Sequence, residues 1–326
     1  MRKGEFFKKE GSKVVCQLCP HYCAMAPGKH GICGVRMNRE GTLIPLTYGK
    51  LAALALDPIE KKPLYHFYPG REILSIGSIG CNLRCKFCQN WHLIEGVTQL
   101  KDILIDDLVR ETKRTGAIGI AYTYNEPLIQ WEFVYDCAKA FHREGLKNVL
   151  VTNGYVNTPP LEKLLEYIDA LNIDLKFSRD DLYREVSGGS LEPVKNAIET
   201  SQEKAHVEVT TLLVTDLNDG EREIGKIVDF LARLDTSIPI HISRYFPNYR
   251  FSAEETPLER MDLACKIARE KLLYVYPGNV HQGETSNTLC PGCNTLLVER
   301  RGYNTVVRNL EGGRCAQCQR KSNILQ

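Results

Sequence analysis

The residues best suited to chemistry are three closely spaced cysteines. Cys81, Cys85 and Cys88 follow the pattern C-x3-C-x2-C within the segment GCNLRCKFCQN. Three thiolates can hold three corners of a cubane [4Fe–4S] cluster and leave the fourth iron open, whereas four cysteines close the cluster and suit it to electron transfer. An open iron can bind a small molecule through an amine and a carboxylate. The alternative interpretation is a zinc site or a set of unrelated thiols.

Most of the other cysteines are clustered as well. Of the 13 cysteines, Cys137 and Cys265 stand alone, and we interpret them as small buried side chains on helices. Apart from these two and the three cysteines above, the remaining eight form an N-terminal set, Cys16, Cys19, Cys23 and Cys33, and a C-terminal set, Cys290, Cys293, Cys315 and Cys318. In a cytosolic protein, clustered cysteines indicate metal more often than disulfides.

The N-terminal set predicts a small metal-binding module over residues 1–40. Little in this segment could build a hydrophobic core, so we expect a bound ion to hold it together. Four thiolates at short loop spacings suit tetrahedral zinc and equally an auxiliary iron–sulfur cluster. The sequence does not separate these two, and a disulfide pair is the remaining alternative.

The C-terminal set predicts a second module over residues 281–326. Its two C-x2-C pairs are separated by 21 residues, which is typical of a zinc ribbon or a rubredoxin-like fold. Zinc is favoured over iron, and short β-type segments at 295–300 and 303–309 fit a ribbon. We interpret His281 and Glu284 as part of a solvated linker, with a cap over the active-site mouth as the alternative.

Between the modules, residues 41–280 alternate short apolar runs with longer amphipathic ones. The predicted strands are 73–79, 118–122, 148–152, 170–175, 207–213, 238–243 and 272–276. Helical patterns lie between them, such as 105–115, 128–143 and 217–234. This alternation implies parallel strands with right-handed crossovers and hence a partial (β/α)6 barrel of the TIM type. In such barrels the chemistry gathers at the carboxyl ends of the strands.

The chemically unusual residues do follow the predicted strands. They are the three cysteines, Asn125 and Glu126, Thr152 and Asn153, Asp174 and Lys176, and His241 to Arg244. We therefore expect five groups that are distant in sequence to meet on one rim. Further candidates for contact with a substrate are Tyr183, Thr210, Thr215, Arg244 and Tyr245.

Several of these residue types suggest a role. The Glu126 carboxylate suits a cationic amine, while Asn125 could instead cap a helix that has Pro127 at its first position. Lys176 could pair with a carboxylate, and Asp174 could accept from a hydroxyl or bind a cation. The Arg244 guanidinium could bind a carboxylate or phosphate as a planar fork.

These segments together resemble the radical S-adenosylmethionine (SAM) enzymes, whose cluster signature the three cysteines match. The match extends to CQLCPHYC at residues 16–23, HISR at 241–244 and YPGN at 276–279. With these segments the chain resembles the radical SAM member of the AmmeMemoRadiSam system, itself similar to pyruvate formate-lyase activating enzymes.

The resemblance implies that SAM occupies the open iron. The reduced cluster would cleave it to methionine and a 5′-deoxyadenosyl radical, which abstracts a hydrogen atom from an unidentified substrate. Phe87 would border the adenine. The other residues implied near SAM are Asn125, Glu126, Thr152, Asn153, Asp174, Lys176 and His241. Implied partners are an electron donor such as flavodoxin or ferredoxin, and AMMECR1-like and Memo-like proteins.

Two further functions stay open. The first is an activase that installs a glycyl radical on a partner enzyme, although Val151 replaces an aspartate of the activases and weakens the cation site. The second is a non-catalytic zinc scaffold or RNA-binding module. A net charge of +2 gives no indication of nucleic-acid binding. A polar N-terminus and the lack of a long apolar run predict a soluble, cytoplasmic protein.

Overall fold

The computed structural model describes residues 2–96, 98–280 and 286–326. The predicted roles of His281 and Glu284 therefore lie outside the described residues. The described part contains a large open barrel with a small β module on either side. No helix in that part is long and apolar enough to cross a membrane.

The N-terminal module is built from short antiparallel strands. They are β1 (Phe7–Glu10), β2 (Lys13–Cys16), β3 (Ala24–Met25), β4 (Arg36–Arg39), β5 (Thr42–Pro45) and β6 (Lys50–Leu51). Strands β1 to β3 form one sheet, and β4 pairs with β5 in a hairpin that turns at residues 40–41. The predicted division at residue 40 falls in this turn, and the domain boundaries remain a prediction.

The barrel is a single sheet of eight strands in the described part of the chain. The strands that follow the first module are β7 (Ala53–Pro58), β8 (Glu72–Gly77), β9 (Lys101–Asp102), β10 (Gly119–Tyr122), β11 (Lys147–Thr152), β12 (Ala170–Asp174), β13 (His206–Leu213), β14 (Ile240–Arg244) and β15 (Val275–Gly278). The order is β15-β14-β13-β12-β11-β10-β8-β7, and β9 pairs with β6 outside this sheet. Strands β8 to β15 of the sheet run parallel, and β7 joins the edge antiparallel to β8.

Helices cover the outside of the sheet. They are α1 (His92–Glu95), α2 (Ile105–Thr115), α3 (Trp131–Arg143), α4 (Thr158–Leu164), α5 (Asp180–Leu182), α6 (Leu191–Gln202), α7 (Glu221–Leu234) and α8 (Leu258–Arg269). Helix α2 has acidic residues in its first turn, basic residues in its last, and ends at Gly116 in the left-handed conformation. Its bounds match the prediction from sequence.

The predicted fold class is confirmed. Strand β10 is buried along its whole length and β12 up to Ile173, as expected for a parallel sheet whose outer face is covered by helices. The antiparallel edge strand β7 was not predicted. Its Leu54 and Leu56 are exposed, so the apolar run at residues 51–56 lies at an edge of the sheet and is covered on one face only.

The C-terminal module packs against the amino ends of the barrel strands. Its strands are β16 (Thr288–Leu289), β17 (Leu296–Arg301), β18 (Asn304–Val307), β19 (Leu310–Glu311) and β20 (Arg314–Cys315). Leu325 donates its backbone N–H to the His66 carbonyl (2.8 Å), and Asn323 Nδ2 donates to the Ser237 carbonyl (2.7 Å). These contacts place the module opposite the rim that carries the three clustered cysteines.

Candidate active site

The loop after β8 carries Cys81, Cys85 and Cys88, and its neighbours fix it. The backbone N–H groups of Arg84 and Lys86 donate to the carbonyls of Ser187 (2.8 Å) and Val186 (3.0 Å). These acceptors belong to a π-helical turn, Tyr183–Ser187, a rare geometry that recurs at functional sites. The cysteine loop is thus tied to the segment between β12 and β13.

Two hydrogen bonds point at the first sulfur of the loop. Leu83 N–H and the Asn153 side-chain amide donate to Cys81 Sγ at 3.3 and 3.6 Å. Burial raises the pKa of the Cys81 and Cys88 thiols, so in the absence of a metal they stay protonated. Binding of a metal would deprotonate them, and the N–H groups that donate to Cys81 Sγ would then stabilise the negative charge on that sulfur.

A cavity of about 490 Å³ opens beside this loop. It is lined at the carboxyl ends of the parallel strands by Cys81, Cys85, Phe87, Cys88, Asn125, Glu126, Thr152, Asn153, Asp174, Lys176, Thr210 and His241. The predicted groups from distant parts of the sequence therefore meet at one cavity. Its size falls within the range of ordinary ligand pockets.

Glu126 is buried at the wall of this cavity and is held by three donors. Its carboxylate accepts from Leu128 N–H (2.9 Å), Thr152 Oγ1 (2.7 Å) and Asn153 N–H (2.8 Å). Burial outweighs these hydrogen bonds and raises the pKa of Glu126 to about 7. A cationic or N–H-rich ligand group at the cavity would favour the ionised carboxylate.

The neighbouring Asn125 faces the cysteine loop. Its Oδ1 accepts from Ser78 N–H (2.9 Å), and its Nδ2 donates to the carbonyls of Ile79 (3.2 Å) and Gly80 (3.1 Å). The suggested helix cap at Asn125 is wrong, because Glu126 occupies the cap position and accepts from Leu128 N–H. Asn125 thus holds the backbone that leads into the loop.

Asp174 and Lys176 form an ion pair at the end of β12. Lys176 Nζ lies 2.8 Å from Asp174 Oδ2. Burial alone would lower the pKa of Lys176, but the Asp174 carboxylate and the Cys85 sulfur outweigh it and raise that pKa. Lys176 therefore stays a cation at the cavity and could bind a carboxylate.

His241 is oriented by a buried carboxylate. Its Nε2 lies 2.6 Å from Glu208 Oε2, and its ring packs edge-on against Tyr65 at 4.7 Å. Burial would raise the pKa of Glu208, but hydrogen bonds from His206 and His241 outweigh it and lower that pKa well below its usual value. The imidazole is fixed in one orientation at the cavity wall.

Phe87 lines the cavity between two of the cysteines. Its ring packs edge-on against Phe177 at 5.9 Å and Phe251 at 6.4 Å, and the side chain is buried. This aromatic contact holds one edge of the loop against the barrel mouth. It also leaves an apolar surface where a planar base could rest.

Arg244 and Tyr245 do not line the cavity. Side chains alternate along β14, so His241 and Ser243 take the inward positions and Arg244 an outward one, while Tyr245 follows the end of the strand. Arg244 instead donates to the Thr256 carbonyl (2.6 Å) and pairs with Glu255, while Tyr245 Oη donates to the Phe251 carbonyl (2.8 Å). Of the other tentative substrate residues, Thr210 lines the cavity and Tyr183 and Thr215 do not.

Lys62 is a cavity residue that was not predicted from the sequence. Its ammonium is buried, lies 2.8 Å from Asp57 Oδ2, and sits 4.7 Å from the centre of the Tyr124 ring. Tyr124 Oη donates to the same carboxylate at 2.7 Å. Tyr124 also has a φ of +70°, a conformation that favours glycine, and this strained backbone is the feature that marks the site.

The two outer cysteine sets differ in geometry. In the C-terminal set the sulfurs of Cys290 and Cys318 lie 3.5 Å apart, and those of Cys293 and Cys315 lie 3.6 Å apart. Among the described residues, these four sulfurs are the one group of three or more candidate ligand atoms that all lie within 4.8 Å of one another. The C-terminal set can therefore hold a single metal ion.

The N-terminal set surrounds a small cavity of its own. Cys16, Cys19, Cys23 and Cys33 all line it, together with Arg36. These four sulfurs do not come as close to one another as those of the C-terminal set. The same holds for Cys81, Cys85 and Cys88.

Comparison with known proteins identifies the family. The model of the radical SAM superfamily matches residues 75–231. The chain is 38% identical to the uncharacterized protein MJ0808 of Methanocaldococcus jannaschii over the full length of both. It is 29% identical to the pyruvate formate-lyase-activating enzyme of Clostridium pasteurianum, covering 60% of this chain and 87% of that one.

The chain belongs to the radical SAM superfamily. It is an enzyme similar to pyruvate formate-lyase activases, as the resemblance in sequence predicted. A crystal structure of Streptococcus suis SuiB with bound S-adenosylmethionine has the same fold, with a TM-score of 0.52, 17% identity and coverage of 64% of this chain and 52% of that one.

Membership in the radical SAM superfamily implies a [4Fe–4S] cluster and SAM as cofactors. The residues present fit both groups. Three thiols with N–H donors at Cys81 suit a cubane, while the Glu126 carboxylate, the Lys176 ammonium and the apolar face of Phe87 offer partners for an amine, a carboxylate and a base. The interpretation as an inert zinc scaffold is set aside, because the family is enzymatic.

Proposed function

We propose that the protein cleaves SAM reductively and directs the resulting 5′-deoxyadenosyl radical to a hydrogen atom of a substrate in the main cavity. One observation carries this proposal. The three cysteines share a single cavity with Glu126 and Lys176, the acceptor and the cation that a zwitterionic ligand needs. The cofactors supply the radical chemistry, and the protein supplies placement and exclusion of water.

Each wall of the cavity has a part in that placement. The Glu126 carboxylate would accept from the SAM amino group, and the Lys176 ammonium would pair with its carboxylate. Phe87 would border the adenine. Asn125 and Asn153 would act indirectly. Asn125 would hold the backbone before the cysteine loop, and Asn153 would donate a hydrogen bond to Cys81 Sγ.

The inner end of the cavity suggests what the substrate carries. Lys62 and Tyr65, which precede β8, line it, so a polar or anionic substrate group would find donors there. We therefore propose that the substrate presents such a group on the far side from the cysteine loop. Deuterium transfer from labelled candidates into 5′-deoxyadenosine would identify both the substrate and the carbon that loses hydrogen.

The direct test is an anaerobic assay. Reconstituted protein with SAM and dithionite should release 5′-deoxyadenosine and methionine, detected by liquid chromatography, and neither product should form when the reductant is omitted. A protein that carries the iron–sulfur cluster but never forms 5′-deoxyadenosine under these conditions would contradict the proposal. The Cys265→Ala variant, changed on the remote helix α8, is the matched control.

A second candidate is a glycyl-radical activase. The Asp174–Lys176 pair at the cavity and the similarity to the Clostridium pasteurianum enzyme favour it. Incubation with a candidate glycyl-radical enzyme should then produce a glycyl signal in electron paramagnetic resonance (EPR). Failure to produce that signal, with 5′-deoxyadenosine still formed, would leave the first proposal standing.

We also propose an electron donor and two partner proteins. A flavodoxin or ferredoxin would supply the electron, and AMMECR1-like and Memo-like proteins would act with the enzyme. Size-exclusion chromatography of mixtures should show a complex with one or both of these two proteins. Independent elution at micromolar concentrations would argue against a stable complex.

A further inference from the structure

The N-terminal cysteines and Arg36 form a site that the main reaction does not use. Cys16, Cys19, Cys23 and Cys33 line one cavity, and Cys16 and Cys33 are buried. The Arg36 side chain lines the same cavity and is 1% exposed. Because Glu132 already neutralises the Arg36 guanidinium, it is the four thiols around one space that indicate a bound metal group.

Arg36 keeps one donor for that group. Its terminal nitrogens bind Glu132 at 2.8 and 2.9 Å, and one also donates to the Glu5 carbonyl at 2.8 Å. Its Nε–H is buried and has no hydrogen-bond partner in the described part of the chain. A buried donor without a partner is costly, and a sulfur ligand in the cavity would satisfy it.

The grouping of the sulfurs differs between the two outer sets. Zinc holds its four sulfurs at about 2.3 Å each, so the sulfurs come within about 4 Å of one another, as in the C-terminal set. The N-terminal four lack that close grouping, as do Cys81, Cys85 and Cys88, whose family binds a cubane. The N-terminal set thus resembles the cubane-binding loop and differs from the single-ion site.

The module also touches the loop of the catalytic cluster directly. Arg84 donates from one guanidinium to the carbonyls of Ile32 and Cys81. His21 Nε2 lies 2.7 Å from the Asn82 carbonyl. A Cβ added to Gly80 would lie 2.5 Å from the Cys33 carbonyl oxygen, so the two backbones are in close contact.

We propose that Cys16, Cys19, Cys23 and Cys33 bind a second [4Fe–4S] cluster, which relays electrons to the cluster at Cys81, Cys85 and Cys88. Four protein ligands close such a cluster and suit it to electron transfer. The exposed Tyr22 and Ile32 beside these cysteines offer an apolar contact for the donor. The relay rests on the proposed function, whereas the second cluster itself does not.

The electron count of the relay is simple. A reduced ferredoxin or flavodoxin loses one electron to the N-terminal cluster, and that cluster passes it to the catalytic cluster. The same electron then breaks the C5′–S bond of SAM, giving methionine and the 5′-deoxyadenosyl radical. The donor is oxidised by one electron in each turnover, and no proton is required.

The metal content of the full-length protein tests the second cluster. Anaerobically reconstituted wild-type protein should contain about eight iron ions per chain, and the Cys19→Ala/Cys23→Ala variant about four. Reduction should give about two EPR-active spins per chain in the wild type and about one in the variant. A wild type with about four iron ions and a zinc that the double variant loses would overturn the assignment.

The choice of reductant tests the relay. With reduced flavodoxin, the double variant should form 5′-deoxyadenosine at least about tenfold more slowly than the wild type, while with dithionite it should stay within about twofold. Equal rates for both proteins with both reductants would overturn the relay. The Cys265→Ala variant controls for the loss of a thiol. A wild type with about eight iron ions but no 5′-deoxyadenosine would instead refute the proposed function and leave the second cluster in place.

Discussion

The two cysteine-rich modules carry four thiols each, yet they differ in sulfur geometry and in location. In the C-terminal module the sulfurs approach to 3.5 Å, and the module packs on the amino ends of the barrel strands. In the N-terminal module the sulfurs surround a cavity, and the module packs on the cysteine loop at the carboxyl ends. Equal numbers of ligands therefore indicate neither the same metal nor the same role.

The surroundings of the two sets support this distinction. Cys290 and Cys315 belong to a small apolar cluster with Leu297 and Val298, and a metal there would stabilise a module with little core of its own. Cys33 instead packs against Ile129, beneath the catalytic loop. The N-terminal set thus adjoins the catalytic loop, whereas the C-terminal set lies in a small core of its own.

The largest expected effect on activity comes from changing a cysteine in the loop that carries Cys81, Cys85 and Cys88. Cys85→Ala should abolish 5′-deoxyadenosine formation with dithionite and with flavodoxin, because the catalytic cluster loses one of its three ligands. Cys265→Ala should keep full activity in the same assay. Activity of Cys85→Ala above the background without enzyme would show that the loop is not the reacting centre.

Loss of the C-terminal metal should be the next largest effect. Cys290→Ala should release the metal and unfold residues 286–326, since structural metal sites in small modules contribute about 10 kcal/mol or more to folding. Hydrogen exchange followed by mass spectrometry should show lost protection there and unchanged protection in residues 2–45. Equal loss of protection in both modules would break the distinction between them.

The buried ion pair of the N-terminal module comes third. Arg36→Met leaves the Glu132 carboxylate buried without its partner, which should lower the free energy of unfolding by about 3–5 kcal/mol. Urea unfolding monitored by circular dichroism measures this change. The double variant Arg36→Met/Glu132→Leu should recover most of the loss, and a double variant as unstable as the single one would contradict the reason given.

The affinity of the main cavity for SAM should depend on pH through Glu126. The pKa of Glu126 is raised to about 7, so its carboxylate is mostly protonated at pH 6 and mostly ionised at pH 8. Glu126→Gln mimics the protonated form. The loss of SAM affinity in this variant should therefore be small at pH 6 and about tenfold at pH 8, measured by calorimetry on the cluster-loaded protein. A loss independent of pH would argue against an ionised Glu126 as the amine partner.

The smallest expected effect concerns the reduction potential. Asn153→Ala removes one donor to Cys81 Sγ, and a lost hydrogen bond of about 1 kcal/mol corresponds to about 40 mV for one electron. The potential of the catalytic cluster should fall by that order while the N-terminal cluster keeps its own. An EPR-monitored redox titration separates the two, and a shift confined to the N-terminal cluster would reverse the assignment.

Much of this architecture could be predicted from local sequence. Short apolar runs predicted the parallel strands, and the amphipathic pattern at residues 105–115 predicted the bounds of α2. The cysteine spacing predicted the catalytic loop because its ligands are close in sequence. What failed depended on contacts between distant residues. Lys62 follows another lysine and precedes a proline, which suggests a solvated turn, and it is buried only because Asp57 and Tyr124 surround its ammonium.

The direction of side chains near strand ends was equally hard to predict. Arg244 was a tentative substrate residue because it lies beside His241 in sequence, but alternation along β14 turns it toward Glu255. The Arg36–Glu132 pair spans 96 positions, and no local pattern marks it. Burial of a charge therefore has to be read from the fold.

The contacts of Arg300 have a consequence for biosynthesis. This buried guanidinium donates to the Tyr65 carbonyl (2.5 Å) and lies 3.9 Å from the Glu60 carboxylate, and both residues line the main cavity. Ribosomes synthesise a protein from its amino end. The Arg300 guanidinium is therefore absent until some 240 residues after Glu60 have been added. A nascent chain stalled before residue 300 would leave that part of the cavity without its cation, so the cavity gains this contact only after residues 286–300 have been synthesised.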